Sequence, residues 1–414
     1  MPIVPAIYLG LLFVYFTRKE KRIGLASILT LFFLISSIAG IFIDIFDLYG
    51  EYGIGEKVIS PNGTLLYCIG LTAILYPFSN LRITEDTLFV EKKPYFNILA
   101  YILIVCFFIY VISHISTLIT YSKMSFYEIK AAHYEDLAFA QDNERGSLFL
   151  MLPNIISNTW SLSLLCWFVS ITFMRNHPLI NIGLFLSSTQ HIIQGFMIAG
   201  RAPIIYWIFA YLCYWVLFKP YMSEKCKHRL FLLSAIAGGA VLVFFMIITA
   251  SRFAMHTGYG TLYSLLGYAG QPYNNFCMVI EYGESSPFFI DRLLPVFSKY
   301  ILKHEQFHLA LYYDDITSYI GIAVNCFYTL LGGLYLNVGY TGLLICLVIY
   351  EFCATKTMKA VQLNFSFSNL ILLSILILVP IQGMFDIPFP YVQDTLANLF
   401  CICVYFVFKY TLKK

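Results

Sequence analysis

The residues able to do chemistry gather in two places. One is Gly200-Arg201-Ala202-Pro203, a short turn between two apolar stretches. Pro203 suits the first turn of a helix, where its missing N–H costs nothing. The turn therefore predicts a helix start beside a guanidinium, with first-turn N–H groups and the positive end of the helix dipole at the same point. That combination suits a phosphate or diphosphate. The competing possibility is an interfacial arginine whose head reaches lipid headgroups. The second place is the polar interruption 252–318. Arg252 and His256 stand where an apolar helix runs out, and Lys303-His304-Glu305, His308 and Tyr312-Tyr313-Asp314-Asp315 come later. Arg252 is a candidate second cation for the same anion, although a cation also stabilises a helix C-terminus without any ligand. His256 and Asp315 are candidate general bases, and the Asp314-Asp315 pair is also a candidate metal site. Their bland alternative is a solvated loop, and the Lys303–His308 cluster reads as a solvated helix face.

Such residues must be carried by membrane-crossing helices. Of 414 residues, 59% are apolar, 18% aromatic and 12% charged. A soluble domain carries roughly 25% charged residues. Repeated apolar runs match the ~30 Å hydrocarbon core of a bilayer, so the expected fold is all-α, a polytopic transmembrane bundle of about eleven spans with a large extracytoplasmic loop. The runs are 2–17, 23–46, 63–80, 95–120, 147–174, 178–199, 202–219, 229–251, 336–353, 367–385 and 389–409. They divide into N-terminal helices (1–251), an extracytoplasmic region with re-entrant or surface helices (252–335) and C-terminal helices (336–414). Gly267, Gly270 and Pro272 are expected to break any spanning helix over 261–283, and 319–335 to be a re-entrant piece ahead of one true span.

If each run crosses once, Lys57, Lys123, Lys130, Arg145, Arg201, Arg252, Arg292, Lys299 and Lys303 share one side, and the rest of the 26 Lys and Arg share the other. The richer side is cytoplasmic by the positive-inside rule, which places 252–318 outside. The 11 cysteines show no metal-ligand or redox spacing and mostly act as small hydrophobes. The first 17 residues lack a basic n-region and a cleavage site, so no removable signal peptide is expected.

Two polar stripes interrupt the apolar helices. Asn154, Ser157, Asn158 and Ser161 recur at i, i+3, i+4 and i+7 within 147–174, hence on one helix face. Gln190, Gln194 and Arg201 share a face at offsets of 4 and 11. Such residues commonly hydrogen-bond between helices and do nothing more. Two stripes at matching depth, one ending in arginine, point instead to a polar cavity opening outward.

With about eleven spans, a large outer loop before the last three and an arginine opening the helix at Gly200–Pro203, the chain resembles the O-antigen polymerase group, the Wzy-type oligosaccharide repeat-unit polymerases. The run Gly267-Tyr268, Gln271-Pro272-Tyr273-Asn274-Asn275-Phe276 resembles the aromatic, glycine-rich part of that family's loop. Asn325 through Gly333 and Gly339 resembles the segment entering the following helix. The resemblance implies a glycosyltransferase-C-like fold and a metal-independent, cofactor-free transferase in the bacterial inner (plasma) membrane. Its active site would face the periplasm. It would use undecaprenyl-diphosphate-linked oligosaccharide as donor and acceptor, among membrane lipids, with a flippase and a chain-length regulator as partners and no nucleic acid. Arg201 and Arg252 would hold the diphosphate, with His256 or Asp315 as base. Asn158, Gln190, Gln194, Tyr259, Tyr273 and Asn275 would meet the sugars. The family's pattern puts arginines in two outer loops, whereas here Arg201 sits alone at a tight turn. A glycan ligase would share the donor and differ in acceptor. A metal-dependent transferase would use Asp44 and Asp47 in the first outer loop. A flippase or transporter would need charge through the full membrane depth.

Overall fold

The computed structural model describes residues 2–50, 54–81, 89, 93–126, 128–129, 148–232, 239, 243, 246–247, 261–283, 293–303 and 327–411. Arg252, His256, Tyr259 and Asp315 lie outside the described residues. Every regular element of length among those described is helical. In chain order they are α1 (Ile3–Glu20), α2 (Leu25–Phe46), α3 (Pro61–Leu75), α4 (Lys93–Ser113), α5 (Ile115–Tyr121), α6 (Leu148–Ser157) and α7 (Trp160–Val169, extended to Met174 by a wider turn). There follow α8 (Pro178–Ser188), α9 (Gln190–Met197), α10 (Ala202–Phe218), α11 (Thr261–Tyr282), α12 (Thr329–Leu363), α13 (Phe367–Gly383) and α14 (Val392–Thr411).

Among the described residues, five helices are long and apolar enough to cross a membrane: Leu25–Phe46, Lys93–Ser113, Ala202–Tyr221, Thr329–Leu363 and Val392–Tyr410. The bent pair Met151–Ser157 and Trp160–Met174 makes a sixth if it counts as one span. α4 shows why these are lipid helices. Leu99, Leu103, Cys106 and Tyr110 are buried, while Ile98, Tyr101, Ile102, Val105, Phe108 and Ile112 on the other face are exposed. A soluble protein would present polar side chains there. The run 229–251 lies mostly outside the described residues, and other runs fold as short or broken pieces. Residues 63–80 give a 15-residue α3 and a tighter terminal turn, and 178–199 gives helices of 11 and 8 residues.

The chain forms two compact units. The first comprises Met1–Arg82, His256–Lys359 and Leu376–Thr395. In it α2 packs on both α1 and α11. The expectation that Gly267, Gly270 and Pro272 interrupt a helix is not met, since α11 runs unbroken through all three. Pro272 cannot donate to the carbonyl of Tyr268, and the neighbouring Gln271 Nε2 donates to that carbonyl instead, at 3.3 Å. Gly270 serves a close crossing. A Cβ there would lie 2.5 Å from the backbone nitrogen of Gly40 on α2, and Ser36 Oγ donates to Ala269 O at 2.7 Å across the same crossing. Small residues that let helix backbones touch are the usual adhesive between membrane helices. α12 is hydrogen-bonded over 35 residues, but Gly339 breaks its path with φ 69 and ψ −175, a conformation essentially reserved for glycine.

The second unit comprises Ile83–Met255, Ala360–Ile375 and Leu396–Lys414. Here α4 packs on α6 and α8, α7 on α8 and α10, and α9 on α10. Trp167, Phe168, Trp207 and Tyr211 fill its interior with rings 4.9–6.1 Å apart.

Gly270→Ala is expected to lower stability by about 1–3 kcal/mol, because backbone cannot step aside for the new methyl group. Gly10→Ala on α1, which meets nothing within 4 Å, is the neutral control. Thermal unfolding in detergent reads the difference, and equal midpoints for the two variants would contradict the close crossing.

Candidate functional site

Both polar stripes fall in the second unit, and in both the helix is broken at a threonine. α6 and α7 meet at 55° across Asn158-Thr159, and α8 and α9 meet at Thr189. The two breaks use one device. Thr159 sends its hydroxyl and its N–H back to Ile156 O, at 2.6 and 3.0 Å. Thr189 sends its hydroxyl and its N–H back to Leu186 O, at 2.7 and 2.9 Å. Each threonine thus finishes the helix behind it and does not cap the one ahead. No side chain caps the first turn of α7 or α9. Helix starts of this kind inside an apolar bundle occur where the backbone lines a polar cavity.

The breaks lie side by side. Trp160, the first residue of α7, stacks on His191, the second residue of α9, with centroids 4.6 Å apart and planes 7° from parallel. His191 also lies parallel to Tyr206 of α10 at 6.1 Å. α9 packs on α10 as a hairpin, and at its open end Trp207 Nε1 donates to Oγ of Ser188, the last residue of α8, at 3.2 Å. At the other end, a Cβ on Gly195 would sit 3.2 Å from Gly200 O and Pro203 Cβ. The hairpin tip turns through Ala199 at φ 46, and Arg201 stands there at the N-cap of α10. It is 3% exposed and also without a side-chain cap hydrogen bond to the helix it opens. At 1.5 Å per residue, Arg201 lies about 9 Å along the α10 axis from Trp207, near the level of the two breaks.

The geometry corrects two details. Ser161 does not share a face with Asn154, Ser157 and Asn158, because the helix turns between them; its Oγ instead hydrogen-bonds Tyr214 Oη at 2.7 Å. Arg201 does not share a helix with Gln190 and Gln194, since α9 ends at Met197. The hairpin instead sets Gly195 of α9 against Gly200 and Pro203, on either side of Arg201.

Polar atoms without partners mark this region. Gln190, 2% exposed, hydrogen-bonds Tyr110, yet its Oε1 has no partner. Asn154 Oδ1, Ser157 Oγ and His191 Nε2 also have none. His191, 9% exposed, uses only Nδ1, which donates to Gln194 Oε1 at 3.3 Å. Each orphan costs about 1–3 kcal/mol unless something fills the need. Carboxamide, hydroxyl and imidazole groups are partners for sugar hydroxyls, and a guanidinium at a helix start is a partner for phosphate. His191 was absent from the candidates that the sequence suggested. Its signal was available: an ionisable residue between two glutamines in an apolar run.

Tyr273 and Asn275, like Asp44, lie in the first unit and are engaged within it. Asn275 Oδ1 accepts from Gly55 N at 2.9 Å, and Tyr273 Oη pairs with Thr64 Oγ1 at 2.7 Å. With Asn274, which donates to Gly55 O and Glu56 O, Asn275 holds the 54–60 connector against α11, while Tyr273 ties α11 to α3. Asp44 forms an ion pair with Lys57 and accepts from Tyr49 Oη at 3.2 Å. Asp386, another buried ionisable residue that sequence inspection passed over, accepts from Ile387 N at 2.7 Å. Among the described residues no three His, Cys, Asp or Glu side chains come together.

A polar slot at the breaks should hold water. In a cysteine-free background, Ser157→Cys and Gln190→Cys are expected to react with a small charged thiosulfonate reagent. Leu164→Cys on α7, wholly buried, should not. Equal inertness of all three would mean that the breaks are dry.

No protein-family model, no curated protein and no solved structure matches this chain.

Proposed function

We propose that the protein is an integral-membrane glycosyltransferase that polymerises lipid-diphosphate-linked oligosaccharide repeat units on the outer face of a bacterial plasma membrane. In this reading the chain crosses about eleven times, as the apolar runs allow, with a glycosyltransferase-C-like bundle and Arg201 facing the periplasm. The observation that carries it is that buried Arg201 opens α10 in the same unit whose helix breaks leave sugar-compatible groups orphaned. The donor loses a lipid diphosphate, so charge builds on phosphate oxygens in the transition state, and fixed N–H donors and a guanidinium stabilise it there. The slot below would take the sugars, with Asn154, Ser157 and Gln190 gripping hydroxyls that water otherwise serves. Arg252 keeps the role that the family resemblance gives it.

Purified protein in nanodiscs, given lipid-linked oligosaccharide extracted from its native host, should build a ladder of products. Transfer of a single unit to a different acceptor would indicate a ligase, and no consumption would indicate a transporter. Arg201→Ala is expected to abolish elongation and weaken undecaprenyl-diphosphate binding while the protein still inserts. Arg201→Lys should rescue poorly, because a point charge lacks the planar two-pronged grip on phosphate oxygens. Full activity in either variant would remove Arg201 from the diphosphate site.

Orientation is tested separately. Cysteines at Lys57 and Lys123 should react with an impermeant thiol reagent on intact cells, and cysteines at Lys225 and Lys359 only after permeabilisation. The reverse pattern would put Arg201 on the cytoplasmic side and end the periplasmic assignment.

A further inference from the structure

We propose that His191 is the general base of the transfer, its Nε2 taking the proton of the acceptor sugar's hydroxyl. The inference deepens the transferase reading and rests on it. Three observations converge on the imidazole. Nδ1 faces Gln194 Oε1 at 3.3 Å; an oxygen of a carboxamide can only accept, so Nδ1 carries the hydrogen and Nε2 keeps its lone pair. Nε2 is buried yet has no hydrogen-bond partner. The ring is fixed in orientation by Trp160 and Tyr206, with which it lies within 7° and 19° of parallel.

A histidine kept only for packing has no reason to leave one nitrogen orphaned in an apolar bundle, since phenylalanine would fill the space without that cost. Gln194 does here what a carboxylate or carbonyl does for many catalytic histidines: it sets the tautomer and aims the other nitrogen. Placement agrees. His191 is one turn before Gly195 on α9, and Gly195 abuts the turn that carries Arg201. The base thus lies a turn or two below the diphosphate cation, on the slot side occupied by sugar. In the step, the acceptor oxygen bonds to the donor's anomeric carbon as the bond from that carbon to the phosphate oxygen breaks. The lipid diphosphate leaves with the electron pair toward Arg201, and the hydroxyl proton passes to Nε2.

His191→Phe keeps an aromatic ring against Trp160 and removes the nitrogen; His191→Gln keeps polarity and removes the base. Both are expected to lower kcat about 100-fold or more, the usual scale for a lost general base. KM and undecaprenyl-diphosphate binding should stay at wild-type levels, which a merely structural disruption would not allow. A wild-type ladder with undiminished kcat in either variant overturns the proposal alone. No ladder from wild type overturns the transferase reading, and the proposal falls with it. If neither variant inserts, diethyl pyrocarbonate on the wild type decides. His191, mapped by mass spectrometry, should be modified with loss of turnover, and acceptor lipid should prevent both. Full turnover with His191 modified would overturn the assignment.

Discussion

The need to satisfy backbone N–H and C=O groups where water is scarce governs this structure. A continuous helix meets it by default, so every departure from a continuous helix has to be arranged. α11 shows the arrangement that preserves a helix: Pro272 removes one donor and Gln271, the residue before it, supplies another from its side chain. Thr159 and Thr189 show the arrangement that ends one. Each threonine closes the last turn behind it with both hydroxyl and N–H, and the following helix begins without a side-chain cap. The same chemistry therefore holds the first unit together and opens the second.

Packing follows from this division. In the first unit the close α2–α11 crossing depends on glycine on both sides, and the asparagines of α11 tie down the connector beside it. Asn274 and Asn275 spend their amides on that connector, while Ser37 Oγ, Gln271 Oε1 and Asn337 Oδ1 of the same unit have no partner. In the second unit aromatic rings supply the packing, around Trp167 and Phe168 and again where Trp160 meets His191. Rings hold geometry through flat faces and leave polar atoms elsewhere uncommitted.

The all-helical class and the helix start at Pro203 were legible in the sequence, because hydrophobic length and proline chemistry are local properties. Whether a glycine in a helix breaks it or admits a neighbour was not legible. Gly270 and Gly339 look alike in sequence, and only the partner backbone at Gly40 and the dihedral angles at Gly339 tell them apart. The helix breaks were hidden for a related reason. A threonine within an apolar run usually bonds back to its own helix and leaves it intact, so neither Asn158-Thr159 nor Ser188-Thr189 announced an end. Reading those runs as straight helices put Ser161 and Arg201 on the same helices as their polar neighbours, from which the breaks separate them. His191 was passed over because attention went to amide spacing, although the ionisable residue carried the stronger signal.

The energetics argue that the orphaned groups in the second unit are kept for a purpose. Asn154, Ser157, Gln190 and His191 each leave a polar atom without a protein partner, at about 1–3 kcal/mol apiece. Net stabilities of folded proteins are only about 5–15 kcal/mol, so a cluster of this kind weighs heavily. Scattered orphans would be tolerable defects. These lie along two adjoining helix breaks, where first-turn N–H groups are also without side-chain caps, below a turn that buries a guanidinium. Donors, acceptors and positive charge are thus held in fixed positions by rings and back-bonded threonines before any ligand arrives. Preorganisation of that sort lowers the reorganisation a reaction must otherwise supply, and it gives a reason for a membrane bundle to retain polarity that packing alone would have removed.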